Sequence, residues 1–113
     1  MLILNKKVTV DELMHIEKKT FFDDMIKAVV DIEKELLAVN AELHAELETL
    51  LLDSGSSQSK LYGINIYEDG EVEFDSLINA PRNREAGFPR VGRFVADPEA
   101  REKIKEVVKK WLI

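Results

Sequence analysis

The stretch Met25–Asp53, MIKAVVDIEKELLAVNAELHAELETLLLD, decides the fold, because it carries the largest share of the chain's apolar residues and most of its surplus negative charge. Two periodicities fit it. As a helix, Met25, Val29, Ile32, Leu36, Val39, Leu43, Leu47 and Leu50 recur at steps of three and four and form one apolar stripe. As strands, Leu43, Ala45, Leu47 and Leu51 alternate with Glu42, His44, Glu46 and Glu48. Ala, Glu and Leu favour the helix by propensity, whereas the β-branched residues Val29, Val30 and Ile32 pull the first half towards strand.

The run ELHAELETLLLDSGSSQSKLYGIN, followed by EFDSLIN and DPEAREKIKEVVKK, resembles a family of short uncharacterised prokaryotic proteins, a domain of unknown function. The likeness spans roughly Val29 to the C-terminus. In the family's pattern a Gly-Gly stands where this chain has Asn40-Ala41, and a Trp stands at Tyr62. A Gly-Gly breaks a helix and suits a two-residue hairpin turn, where Asn is tolerated because it visits positive φ. The resemblance therefore implies a long hairpin about Asn40-Ala41, and it brings no reaction with it.

The fold expected on this basis is α+β: one domain, residues 1–113, with an antiparallel sheet of about four strands in two consecutive hairpins. The strands fall near Lys27–Val39, Glu42–Leu52, Leu61–Tyr67 and Glu71–Ile78, with a helix near each end. Met1–Asn5 could form an edge strand. Thr9-Val10-Asp11-Glu12 has the form of a capping box, with Val8 placed to staple onto Leu13, and opens a helix to about Lys19. Leu13, Ile16 and Thr20 would share one side of it, Phe21 and Phe22 would fold into the core, and His15 reads as solvent-exposed. Ser54–Ser59 is a polar turn, not a phosphate loop, since strand-like LYGINIY follows it.

In the second hairpin, a loop at Glu68-Asp69-Gly70 pairs Ile66 with Val72 and Ile64 with Phe74, and places Gly70 in the left-handed region. A two-residue turn would oppose Ile66 to Glu73. Pro81–Val95 reads as a long irregular loop. Asp97 as N-cap, Pro98 at the first helical position and Glu99 in the first turn open a closing helix, whose stripe is Ile104, Val107, Val108, Trp111 and Leu112. Trp111 should be at least half buried.

A chain of 113 residues with 45% hydrophobic residues suffices for one core. With no cysteine there is no disulfide framework or thiol chemistry, and no export or membrane signal is visible, so a cytoplasmic location is the default. The net charge of −6 argues against general nucleic-acid binding. From Asp24 to Asp53, eight acids (Asp24, Asp31, Glu33, Glu35, Glu42, Glu46, Glu48, Asp53) face two lysines, Lys27 and Lys34, which accounts for that surplus.

Two candidate sites follow. Arg82, Arg84, Arg90 and Arg93 stand against one acid, Glu85, in the Pro81–Val95 loop, with Phe88 and Phe94 interleaved. They could bind an anion, phosphate or single-stranded nucleic acid, or pair with the chain's own carboxylates at Glu33, Glu35, Glu46 and Glu48. If Asn40-Ala41 is a turn, Glu35 opposes Glu46 and Glu33 opposes Glu48, while Glu42, His44 and Glu46 share a face. Opposed like charges are costly and call for a cation or for solvation. His with carboxylates could ligate Zn²⁺, Mn²⁺ or Fe²⁺, though the spacing matches no metal motif.

No Ser-His-Asp or Cys-His arrangement can be drawn, and no cofactor is implied. The leading functional expectation is a small binding or interaction module, assembled as a homodimer through the edges of its hairpins. The rival is a metal-dependent or phosphate-handling enzyme using His44, Glu42 and Glu46 with the Arg82–Arg93 loop. In that case the arginines and His44 would converge on one concave site.

Overall fold

In the computed structural model, which describes Met1–Ile113, the central stretch divides into strand, strand and helix. β2 (Met25–Asp31) and β3 (Leu36–Val39) form a tight antiparallel hairpin with Ala28 opposite Val39 and Asp31 opposite Leu36. Its turn lies at residues 32–35, inside what the sequence reading took as one strand. The buried Asp31 carboxylate makes that turn: Oδ1 accepts from the backbone N–H of Glu33 at 2.9 Å and of Lys34 at 2.8 Å. Glu35 closes it at φ 57°. Asn40 does take a positive φ, 72°, but it redirects the chain without reversing it. Its Nδ2 donates to Glu17 Oε1 at 2.7 Å and to the Lys19 carbonyl at 2.8 Å.

The residues expected as a second strand, Glu42–Leu52, are instead helical: α2 spans His44–Asp53. Helix propensity prevails because Leu47 and Leu51, one turn apart, bury completely against Val29, Ala38 and Leu61 on the sheet. Leu43, which alternation would place inside, is 57% exposed. With the strand gone, the opposed pairs Glu35/Glu46 and Glu33/Glu48 do not form.

The sheet is antiparallel and five-stranded, in the order β1-β3-β2-β4-β5, with β1 at Leu2–Ile3, β4 at Leu61–Tyr67 and β5 at Val72–Glu73. The fold is thus α+β as expected, with five strands in place of about four. Met1–Asn5 does supply an edge strand. In the second hairpin Ile66 pairs with Val72 and Gly70 sits at φ 87°, as the register argument requires. The strand stops at Glu73, however, so the expected pairing of Ile64 with Phe74 is not made. Phe74 turns away and packs edge-on to Phe94 at 6.0 Å between centroids.

Helices cover both faces. α1 (Val10–Met14) and α4 (Pro98–Trp111) lie on a core of Leu13, Ile26, Val30, Ile64, Ile104 and Val107. The Thr9/Glu12 capping box closes α1 with reciprocal bonds of 3.0 Å, yet the helix ends at Met14 and not near Lys19. Beyond that end Phe21 is 38% exposed, and Phe22 is half-buried under Lys27 instead of entering the core. Asp97 caps α4 through Glu99 N–H at 3.0 Å, and Trp111, part-buried, donates from Nε1 to the Glu35 carbonyl at 2.8 Å. On the opposite face α2 is joined by α3 (Asn79–Glu85), which replaces the first part of the expected Pro81–Val95 loop. No helix is long and apolar enough to cross a membrane.

Candidate functional site

The sheet face under α2 is only partly covered. β2 and β4 present Lys27, Val29 and Asp31, and Leu61, Gly63 and Asn65, to this side, with Lys27 opposite Asn65 and Val29 opposite Gly63. α2 covers the Val29 and Leu61 end. Beyond its first turn, a half-open cavity of about 350 Å³ remains, lined by Lys27, Leu43, His44, Ser76, Ile78 and Arg93 among others.

Glycine at position 63 is what lets this site assemble. A β-carbon there would overlap the Ser76 side chain and stand 3.1 Å from His44 Cδ2, so both side chains rest directly on the β4 backbone. His44 is 6% exposed, and its Nε2 donates to the Ile64 carbonyl at 2.8 Å. Burial holds its pKa below the ordinary value of 6.5. The bond to Ile64 opposes that shift, and the charges of Lys27 and Arg93 reinforce it. The imidazole is therefore neutral at neutral pH. Ser76 is fully buried; its Oγ accepts from Ile78 N–H at 3.3 Å and makes no bond to His44, so the two are not a nucleophile and base.

Arg93 is brought to the cavity by α3. On the outer edge of β4, beyond the two-residue β5, Asn79 takes the place of a neighbouring strand. Its Oδ1 accepts from Gly63 N–H at 2.8 Å and its Nδ2 donates to the Gly63 carbonyl at 2.9 Å and the Arg93 carbonyl at 3.0 Å. One turn later Asn83 Nδ2 donates to the carbonyls of Gly92 at 2.9 Å and Phe94 at 2.6 Å, while its Oδ1 accepts from Ala96 N–H at 3.0 Å. Two buried asparagines thus fix the segment around Arg93. The Arg93 side chain, half-exposed, donates from Nε to Asp75 Oδ1 at 2.5 Å. Lys27 Nζ lies 5.2 Å from the Phe22 ring centroid.

The other residues singled out from the sequence lie apart. Arg82 is 4% exposed and internal, donating from Nε to the Leu61 carbonyl at 3.0 Å and pairing with Glu48 through its terminal nitrogen. Arg84 and Arg90 are exposed and join no salt bridge. Glu42 is exposed, and Glu46 turns back to accept from Leu43 N–H at 3.1 Å. Around a helix, positions 44 and 46 point about 200° apart, so the expected shared face of Glu42, His44 and Glu46 does not exist. No three His, Cys, Asp or Glu side chains are grouped to hold a metal ion.

Sequence reasoning named His44 and Arg93 but missed Lys27, Gly63, Ser76 and Asn79. Their signal was a Gly and an Asn at alternate positions of the otherwise apolar β4, and Ser76 and Asn79 within EFDSLIN. The three runs ELHA, LYGIN and EFDSLIN, separate in sequence, meet at this cavity.

Residues 2–111 match the model of a family described as "Protein of unknown function (DUF5674)". This match takes in the N-terminal strand and α1 as well as the region of resemblance. No curated protein and no solved structure matches the chain.

Proposed function

The chain belongs to the DUF5674 family, and for this member we propose a binding module that seats a small anionic ligand in the cavity beside His44. The observation that carries this reading is the pair of cations, Lys27 and Arg93, lining one concave site around a neutral histidine. They come from different parts of the fold, and the second is held in place by two buried asparagines.

The reading of the chain as a metal-dependent enzyme loses support, because its carboxylates Glu42 and Glu46 point away from His44. A phosphate-handling enzyme retains only His44 and Arg93 of its expected set, with a serine too buried to attack a substrate. Assembly as a homodimer and a cytoplasmic location remain part of the proposal. The first was expected from the edges of long hairpins, and the edge strands of two residues each offer little to pair, so ligand binding is preferred to partner binding.

Thermal unfolding of the full chain with phosphate, sulfate and short carboxylates tests the reading. A ligand at about one hundred times its Kd adds roughly 2.7 kcal/mol of stability, and Arg93→Ala should remove that gain without unfolding the protein. If no anion raises Tm, or if Lys27→Met and Arg93→Ala both retain full binding, the cavity is not an anion site.

A further inference from the structure

The protonation pattern of His44 narrows the class of ligand. A carbonyl oxygen can only accept, so the 2.8 Å contact between Nε2 and the Ile64 carbonyl places the ring hydrogen on Nε2. In the neutral ring Nδ1 then carries a lone pair. No donor in the protein meets it: the only imidazole bond of His44 is the one to Ile64, and Ser76, the one hydroxyl in the lining, makes no hydrogen bond to the ring. Nor is Nδ1 among the buried atoms sealed from solvent, where Asn65 Oδ1 alone lacks a partner. His44 is 6% exposed, and turning the ring would give up the bond to Ile64 and set a carbon against that carbonyl, so the ring is held with Nδ1 as an acceptor.

The cations complete the pattern. Arg93 uses Nε on Asp75, leaving its two terminal nitrogens unbonded within the protein, and Lys27 donates to no side chain or carbonyl. The site thus presents positive donors beside one fixed, bare acceptor. A simple oxyanion fits the donors but sets its own lone pairs against that of Nδ1. An oxyanion that also bears an O–H satisfies both. Leu43 and Leu77, 57% and 70% exposed at the cavity's rim, add an apolar surface next to the polar groups.

Building on the anion-site reading, we propose that the ligand is an oxyanion carrying its own hydroxyl donor: the charge rests on Lys27 and Arg93, the hydroxyl donates to His44 Nδ1, and an attached apolar group lies on Leu43 and Leu77. A 2-hydroxycarboxylate with a branched aliphatic chain and a hydrogen phosphate group both have this chemistry.

Two matched pairs distinguish them by calorimetry on the full chain near neutral pH: 2-hydroxy-4-methylpentanoate against 4-methylpentanoate, and inorganic phosphate against sulfate. The hydroxyl-bearing member of at least one pair should bind about tenfold tighter. Preference confined to the first pair identifies a hydroxycarboxylate, and preference confined to the second a phosphate group. His44→Phe should abolish the preference while leaving residual anion binding. Because that variant could fail to fold, ¹⁵N spectra of the wild-type imidazole supply an independent readout: the Nδ1 resonance should move with the hydroxyl-bearing member and stay still with its partner. Equal binding within both pairs, or a preference that survives His44→Phe, overturns this inference and leaves the anion site standing. Failure of all four probes to bind removes the anion site as well.

Discussion

Gly63→Ala tests the architecture of the site most directly. The added methyl would overlap the Ser76 side chain and press on His44 Cδ2 at 3.1 Å. Ser76 has little freedom to yield: it is fully buried, its N–H donates to the Arg93 carbonyl at 3.1 Å, and its Oγ accepts from Ile78 at 3.3 Å. Overpacking of this kind costs about 1–3 kcal/mol. Replacing Gly by Ala in a strand recovers roughly 0.5–1 kcal/mol of backbone entropy. With the overlap falling on a buried neighbour, the overpacking cost lies in the upper half of that range, about 2–3 kcal/mol, so the net loss should be about 1–2.5 kcal/mol, or a Tm lower by roughly 4–10 °C for a chain of this size. Urea and thermal unfolding of Gly63→Ala, of Ser76→Gly and of the double variant would measure it. Because the clash is between these two positions, the double variant should be more stable than the sum of the singles implies, by about 1 kcal/mol. If Gly63→Ala is neutral or stabilising, or if the two effects simply add, close packing of Ser76 on the strand is not what demands glycine.

Two further outcomes are expected. Since burial, first among its causes, holds the His44 pKa below 6.5, the unfolded chain takes up the proton before the folded one. Stability should therefore be complete above about pH 6.5 and fall as pH drops through the window beneath it; urea midpoints for His44→Gln should lack that component, and parallel profiles for variant and wild type would exclude His44 as its source. Arg82→Ala leaves Glu48 and the Leu61 carbonyl without their partner in a buried setting and should cost about 3 kcal/mol. Arg93→Ala, whose pair with Asp75 is half-exposed, should cost less than about 1 kcal/mol; denaturation that finds equal losses would contradict the division of the arginines into one structural and one at the site.

Features governed by local rules were legible in the sequence. The Thr9–Glu12 capping box, the Asp97-Pro98 start of α4 and the Ile66–Val72 register with Gly70 at positive φ all rest on neighbouring residues, and the structure repeats them. The central stretch was harder because Leu47 and Leu51 satisfy both periods. What separates the two is a tertiary fact, the apolar patch of Val29, Ala38 and Leu61 that a single helix face can cover. The true hairpin turn was hidden for another reason. It has no glycine: Asp31 folds the loop with its own side chain, and Glu35 takes the left-handed conformation at φ 57°. Asn40, which carried the expected turn, has the left-handed φ but spends its side chain on Glu17 and Lys19.

The site follows from residues that fit their elements badly. β4 is an apolar strand buried on both faces, yet it holds Gly63, which weakens a strand, and Asn65, whose Oδ1 is buried without a partner. β2 places Lys27 beside that Asn in the same sheet. Lys27 and Asn65 would be apolar β-branched residues if strand packing alone decided the sequence, and Gly63 is required only because Ser76 and His44 rest on it. Instead the misfits share one face, at the point where α2 begins and leaves the sheet uncovered. His44 and Arg93 are brought to that same point by elements on either side. A fold that gives up stability at several adjacent positions, while using two buried asparagines to fix an arginine there, is organised around something other than its core. That clustering ties the proposed anion site to the glycine: a side chain at position 63, which must displace Ser76 and His44, should cost binding even where the fold survives.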